Sequence, residues 1–561
     1  MTSRWFGPHN RSYTQNFPIA TGLTFPRIAL AAVGGDQGYG SSAANNFPAW
    51  TTSPVGSATY NFVQQVGAYD LVVLNGTFEN WDSGGKRDRE DLTQALLKNT
   101  TYTVTLNRSR PCLAFYYAIM CAGQLTGGPQ QTYLNLVQAN NWWLYESAGG
   151  VGTVTPSGGG NSFINYSTAW PTGIGSAGAG ASICGSNYGT TSTGSPTGPQ
   201  GPARTFGNYN ATKLLIRNSA GIDSRFTFDA QMASPSCAGV FLDDCFIALD
   251  GAGSVPNSSL DGITIAPGSQ QGGGFPALDT VQPVMARGNH NFFDQLNTMT
   301  ATFGSLASKF YNFANFGQYC NVYQFGNSII GAGLDNTLHG GLMEDVFGAG
   351  ASSWEFFQAG GGHPSGWLSV LTNYYAGLDF CVQPSWWNPV TMGLFRPLVC
   401  MGTKLPAADG SSTASWAVNG TLTNITAGSV LEYQYMRYAL CTTLLGDGFF
   451  MNGTAGYDWS KPRWYDEYGD DSLTQVNVPR GYLGLPTQVR PTSAAFALGP
   501  LGVWKRTFQN GTIYVNPRGN GVQTISATGT ALQGTQQPTI NNGAHVTSIT
   551  LQDGDGRILL N

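Results

Sequence analysis

Apolar and polar positions along the chain alternate between two rhythms. From about residue 25 to about residue 470, short apolar runs are followed by longer stretches with apolar residues at helical spacing, the pattern of a parallel βα architecture. Pro26-Arg-Ile-Ala-Leu-Ala-Ala-Val33 predicts a first strand and Tyr69-Asp-Leu-Val-Val-Leu-Asn75 a second, followed by a helix over Asp88 to Leu97. Pro111-Cys-Leu-Ala-Phe-Tyr-Tyr117 predicts the third strand and Cys237-Ala-Gly-Val-Phe-Leu-Asp243 the fourth. A helical period over Phe292 to Phe313 leads into a fifth strand at Tyr319 to Phe325. Gly340-Gly-Leu-Met-Glu344 reads as the sixth strand and Leu378-Asp-Phe-Cys-Val-Gln383 as the seventh. A helix over Leu431 to Leu440 precedes an eighth strand at Gly448 to Met451. Eight strands in this rhythm predict a (β/α)₈ barrel, an α/β fold.

Two stretches break the rhythm. Residues 150–210 and 251–283 are rich in Gly, Ser, Thr and Pro, so insertions are expected near 120–230 and 250–285, as flexible loops or β-structured excursions. From residue 481 the pattern shortens to alternating runs at Val503 to Phe508, Gly511 to Asn516 and Val546 to Leu551. The Gln509-Asn-Gly511 turn favours a β-hairpin between the first two. The expected organisation is an arm over 1–24, a barrel over 25–480 and a small antiparallel β module over 481–561.

Composition narrows the functional classes. Only 10% of residues are charged while 12% are aromatic and 76 are Gly, which argues against disorder. An aromatic ring covers the apolar face of a sugar and Asn or Asp bonds its hydroxyls, so the composition also suits carbohydrate binding, although aromatic residues fill large cores too. A net charge of −5 with scattered Lys and Arg argues against a nucleic-acid groove. The nine cysteines, at 112, 121, 184, 237, 245, 320, 381, 400 and 441, include no CxxC pair, so reduced buried thiols are expected. Met1 to Tyr13 lacks the apolar core of a secretory signal, and no run approaches the ~18 apolar residues of a membrane span. The expectation is a soluble chain, virion-associated or cytoplasmic. No metal, nucleotide or other cofactor is expected, since HExxH, P-loop, GxSxG and EF-hand patterns are missing and no GxGxxG follows a strand-like run.

Barrel enzymes place their chemistry at the C-terminal ends of strands. Two apolar runs end in acids there: Gly239-Val-Phe-Leu-Asp243-Asp244 and Gly341-Leu-Met-Glu344-Asp345. Glycosidic cleavage uses two carboxyl groups astride one bond, so these residues form the candidate catalytic set. An acidic helix N-cap after each strand is the plainer alternative. Asp243 and Glu344 lead, with Asp244 and Asp345 as neighbours that a one-residue shift would bring to the same face. Candidate sugar contacts are Asn75, Glu79 and Trp81 after strand two, His290, Asn327, Trp386 with Trp387, and Asp447. Asp466 and Glu467, in an aromatic loop, suit binding or loop bracing equally, and His339, near strand six as His290 is near strand four, suits a substrate contact or, more commonly, a satisfied structural role.

Several short motifs carry a resemblance across most of the chain. They are Tyr69 to Asn75, Gly239 to Asp244, Gly340 to Asp345, Leu445-Gly-Asp-Gly-Phe449, Trp464-Tyr-Asp-Glu-Tyr468, Tyr482-Leu-Gly-Leu-Pro486, and Arg506 to Gly511 running to Val515-Asn-Pro517. In these the chain resembles an uncharacterised group of glycoside-hydrolase-like barrels, distantly similar to the endo-α-1,4-polygalactosaminidase and α-galactosidase families. The resemblance implies Asp243 as nucleophile, Glu344 as general acid/base, and retention of configuration. The long Gly/Ser insertion departs from the compact pattern of that group.

The leading expectation is therefore a glycosidase acting on a polysaccharide without a cofactor. Its rival is a bacteriophage tail or virion component whose barrel binds a cell-surface glycan without cutting it, with other virion proteins or further copies of itself as partners. Few Lys, abundant Gly, Asn and Thr, and large insertions motivate that rival.

Overall fold

A computed structural model describes residues 24–32, 68–74, 113–119, 161–163, 185–187, 239–243, 311–315, 339–358, 365–381, 398–408, 410, 412–418, 421–454, 463–469 and 476–561. In chain order the strands begin with β1 (Ile28–Ala32), β2 (Leu71–Leu74), β3 (Leu113–Ile119), β4 (Asn161–Phe163), β5 (Gly185–Asn187), β6 (Gly239–Asp243), β7 (Tyr311–Asn315) and β8 (Gly340–Phe347). Helices α1 (Trp354–Gln358) and α2 (Ser365–Phe380) precede β9 (Leu398–Leu405), β10 (Ala414–Val418) and β11 (Thr421–Ile425). Helix α3 (Val430–Leu444) leads into β12 (Phe449–Thr454). The chain ends with β13 (Trp504–Phe508), β14 (Gly511–Asn516), β15 (Gln523–Ala531), β16 (His545–Leu551) and β17 (Asp555–Leu560).

The chain divides into two compact units. One comprises Met1–Phe115, Leu342–Gln383 and Trp387–Asn561, the other Tyr116–Gly341 and Pro384–Trp386. The first carries a curled parallel sheet of six strands in the order β3-β2-β1-β12-β9-β8, an α/β arrangement. Ala29 of β1 is in register with Leu71 of β2 on one side and Met451 of β12 on the other. Met451 in turn faces Gly402 of β9. Ile28, Ala29, Leu71, Val72, Val399 and Cys400 are all wholly buried, because a parallel strand covered on both faces needs apolar residues without alternation.

Helix α3 is buried from Gln434 to Leu444 with no polar stripe. It lies between two layers, which is where a helix covered all round belongs. On one side Thr443 Oγ1 donates to Met401 Sδ in β9 (3.4 Å). On the other, Arg437 pairs with Asp555 of β17 (2.7 Å). At its start the N-cap Ser429 Oγ accepts from Glu432 N–H (3.2 Å), while Glu432 Oε2 reaches back one residue past the cap to accept from Gly428 N–H (2.5 Å). The layer beyond α3 is a five-stranded antiparallel sheet, β13-β14-β17-β15-β16. Its first hairpin turns at Gln509 and Asn510 and pairs Phe508 with Gly511. Leu559 O lies 2.5 Å from where a Cβ on Gly511 would sit, so only glycine lets β14 meet β17 there. Val503, Tyr514, Ile525, Ile549, Leu551 and Leu559 form the core of this layer.

In the second unit β6 and β7 pair in parallel, Phe241 opposite Phe313, and β4 and β5 pair antiparallel, Asn161 opposite Asn187. The Gly/Ser-rich stretch between 150 and 210 therefore contains a β-structured excursion.

Three expectations change. Leu378 to Phe380 are helix, not a seventh strand: Trp367, Val370, Leu371, Tyr374 and Leu378 form the buried face of α2 at helical spacing. The strand in that position is β9. The sixth strand continues past Glu344 to Phe347, and Tyr311 to Phe313 lie in β7 rather than at a helix end. The segments expected at 88–97 and 319–325 lie outside the described residues. Cys381, Cys400 and Cys441 are buried thiols outside any disulfide, and burial pushes the thiols of Cys400 and Cys441 well above their usual range.

Candidate active site

Solvent reaches strands β8 and β9 at three residues. In β8 every residue is buried except Glu344 and Asp345, and in β9 every residue is buried except Lys404. All three are charged and lie toward the C-terminal ends of their strands. Lys404 Nζ contacts both carboxylate oxygens of Asp345, at 2.7 and 2.9 Å. Met401 meets helix α3 through Thr443, so strand alternation puts Gly402 and Lys404 on the opposite face of the sheet.

The backbone explains why two consecutive acids are both half-buried. Asp345 has φ +54°, the left-handed region, in the middle of a strand. That conformation is unfavourable for most L-residues and is tolerated best by Asn and Asp. The kink breaks the alternation, so neither acid turns fully into the core. Across from it, a Cβ on Gly402 would lie 2.8 Å from Met343 O and 3.3 Å from Glu344 Cα. Gly402 thus leaves the room that the kinked strand occupies.

The hairpin of β10 and β11 braces this region. Ser415 N–H donates to Gly348 O (3.3 Å), and Trp416 Nε1–H donates to Lys404 O (3.3 Å). The Trp416 indole stacks between Phe347 (centroids 5.9 Å apart) and Tyr435 (4.9 Å). Arg518 lies over Tyr435 and Trp416 and pairs with Glu355 (3.0 Å), which also accepts from Tyr438 Oη–H (2.7 Å). Burial pushes the Glu355 carboxyl above its usual range, against the pull of Arg518 and Tyr438. None of these bracing residues stood out in the sequence. Trp416 sits in a short alternating run, Ala414-Ser-Trp-Ala-Val418, whose only signal was its strand period.

Asp447, expected among the sugar contacts, has a different place. It precedes β12 at the end of the sheet opposite Lys404, is buried, and pairs with Arg506 (2.7 Å) and Arg490 (3.9 Å). Arg27 Nη1–H donates to its main-chain oxygen (2.6 Å). Burial pushes its carboxyl up, but Arg506 and Arg490 outweigh this and hold it below the usual carboxylate range. Asp447 braces strand ends and presents nothing to a sugar. Asp466 and Glu467 also brace: Asp466 accepts from Gln536 N–H (3.0 Å), and Glu467 from Gln537 Nε2–H (2.8 Å) and Asn541 Nδ2–H (3.1 Å). His339, just before β8, is buried, which lowers its pKa to about 3 and keeps the imidazole neutral.

Asp243 is the last residue of β6, as expected. Asp244, Asn75, Glu79, Trp81, His290, Asn327, Trp386 and Trp387 lie outside the described residues. Of the candidate set, Glu344 and Asp345 are together and joined by Lys404, which sequence reasoning missed. Its signal was faint: one basic residue near the end of the apolar run Leu398-Val-Cys-Met401. Among the described residues no group of three or more His, Cys, Asp or Glu side chains is placed to hold a metal, and no helix is long and apolar enough to cross a membrane. No protein-family model matches the chain, and no curated protein matches it.

Proposed function

We propose that this chain is a glycoside hydrolase that cleaves a polysaccharide with two carboxylates on a (β/α)₈ barrel. The observation that carries the reading is the solvent opening of β8 and β9 at Glu344, Asp345 and Lys404 alone. An enzyme barrel concentrates its accessible charge at the C-terminal strand ends in this way. The barrel is supported by β1, the first parallel strand, which pairs with both β2 and β12, the second and the last. A closed ring requires such pairing of its first strand.

In this reading Asp243 is the nucleophile and Glu344 the general acid/base. The Asp243 carboxylate attacks the anomeric carbon while Glu344 gives its proton to the departing glycosidic oxygen. Glu344, now a carboxylate, takes a proton from water as that water displaces Asp243, and configuration is retained. Asn75, Glu79, Trp81, His290, Asn327, Trp386 and Trp387 are the proposed sugar contacts; Asp447 is not among them.

Release of reducing ends from a glycan panel tests the reading, comparing wild type with Asp243→Asn and Glu344→Gln. Both variants should lose the activity, and equal release by all three proteins would overturn the assignment. One observation favours a second reading, a virion protein that binds a glycan without cutting it. Lys404 already neutralises Asp345, leaving a polar opening suited to hydroxyls. Binding by all three proteins without release by any would select that reading.

A further inference from the structure

We propose that Lys404 is a positioning residue, whose ion pair with Asp345 latches β8 in its left-handed kink and so keeps the Glu344 carboxyl at the solvent opening. The catalytic part of this inference rests on the glycosidase reading; the latch itself does not.

An aspartate held at φ +54° inside a strand needs a compensating interaction. The contact that meets this residue is Lys404 Nζ, at 2.7 and 2.9 Å from its two oxygens. The lysine is well anchored, since its own carbonyl accepts from Trp416 Nε1–H and lies 2.0 Å from where a Cβ on Gly348 would sit. The cation is therefore presented from a backbone that has little room to shift. Without the ion pair, residue 345 relaxes toward the extended region. Strict alternation counted back from Phe347, which packs on Tyr438 of α3, then turns residue 345 to the α3 face and leaves residue 344 beside Gly402 with no kink to tip its carboxyl toward the opening. Gly402 does not prevent this relaxation, because it only provides space. A lysine that merely balances surface charge would leave the strand unchanged when removed.

The test uses the full chain with Lys404→Met, Asp345→Ala, Asp345→Gly and the double variant Lys404→Met/Asp345→Gly. Glycine enters the left-handed region freely, so it should keep the kink without the ion pair. Carbodiimide labelling of carboxyl groups, read by mass spectrometry at Glu344, reports accessibility without any need for activity. Lys404→Met and Asp345→Ala should each reduce Glu344 labelling several-fold. Asp345→Gly should label like wild type, and the double variant should label more than Lys404→Met alone. On a glycan that wild type cleaves, Lys404→Met should lower kcat between about tenfold and a hundredfold with KM little changed. Unchanged Glu344 labelling in Lys404→Met overturns the latch, as does equal labelling of Asp345→Ala and Asp345→Gly. The latter pair retains Lys404 and decides the matter if Lys404→Met does not fold. Labelling that follows the proposal while no protein releases sugar upholds the latch and overturns the glycosidase reading.

Discussion

Arg506 and Asp447 form a buried ion pair of 2.7 Å that ties β13 of the terminal sheet to the turn before β12. The same guanidinium donates to Leu444 O at 3.3 Å, the last carbonyl of α3, and to Gly446 O just beyond the helix. A cation there also complements the negative end of the helix dipole. One arginine thus joins helix, parallel sheet and antiparallel sheet.

Asp447→Asn leaves Arg506 buried without its counter-ion, and such losses cost about 3–5 kcal/mol. Denaturant unfolding should show a destabilisation of that order, while glycan binding by the folded variant stays unchanged. Loss of binding at unchanged stability would return Asp447 to the sugar site.

Gly402→Ala places a Cβ 2.8 Å from Met343 O, a backbone atom that cannot swing aside. Overpacking of this kind costs about 1–3 kcal/mol. The variant should unfold at lower denaturant, and Glu344 labelling should change with it. A variant with wild-type stability would show that the kinked strand has slack.

His339 has its pKa lowered from 6.5 to about 3 by burial. In acid below 6.5 the unfolded chain takes up this proton and the folded chain does not, so stability falls as pH falls, by up to about 1.4 kcal/mol per pH unit. Glu355, Glu432 and Glu467 have raised values and act oppositely, losing stability as pH rises above 4.5. Comparison with His339→Gln isolates the histidine: its melting temperature should decline less between pH 6.5 and 5 than that of wild type. Parallel pH profiles for the two proteins would contradict the shift.

Ser429→Ala removes the N-cap hydrogen bond of α3 and should cost about 1 kcal/mol. Because α3 lies between both sheets, the loss should appear in one cooperative transition. Two separate transitions in calorimetry would show that the terminal sheet melts independently.

Much of the architecture was legible wherever burial alone decides the pattern. β1 and β2 are continuous apolar runs, as strands covered on both faces must be, and β3 and β6 were legible from similar apolar runs. The β13–β14 hairpin was legible from its Asn-Gly turn, and α3 from the spacing of its apolar residues. The errors lie where one local pattern serves two structures. Leu378-Asp-Phe-Cys alternates like a strand, yet Leu378 completes the apolar face of α2 begun at Trp367, three turns earlier.

The sequence by itself determined that a parallel sheet would form and that Glu344 and Asp345 would stand toward the end of one of its strands, since both follow from residues adjacent in the chain. The tertiary structure alone decided what those acids do. Lys404 is 59 residues from Asp345, and Arg506 is 59 residues from Asp447. No periodicity or local motif links positions so far apart. Asp447 stands just before a parallel strand and Asp345 within one, and their partners set them apart. One is enclosed by buried arginines at the start of β12; the other is kinked open beside a single half-buried lysine. The electrostatic role of a carboxylate is set by which charges folding brings to it, and that information lies in three dimensions.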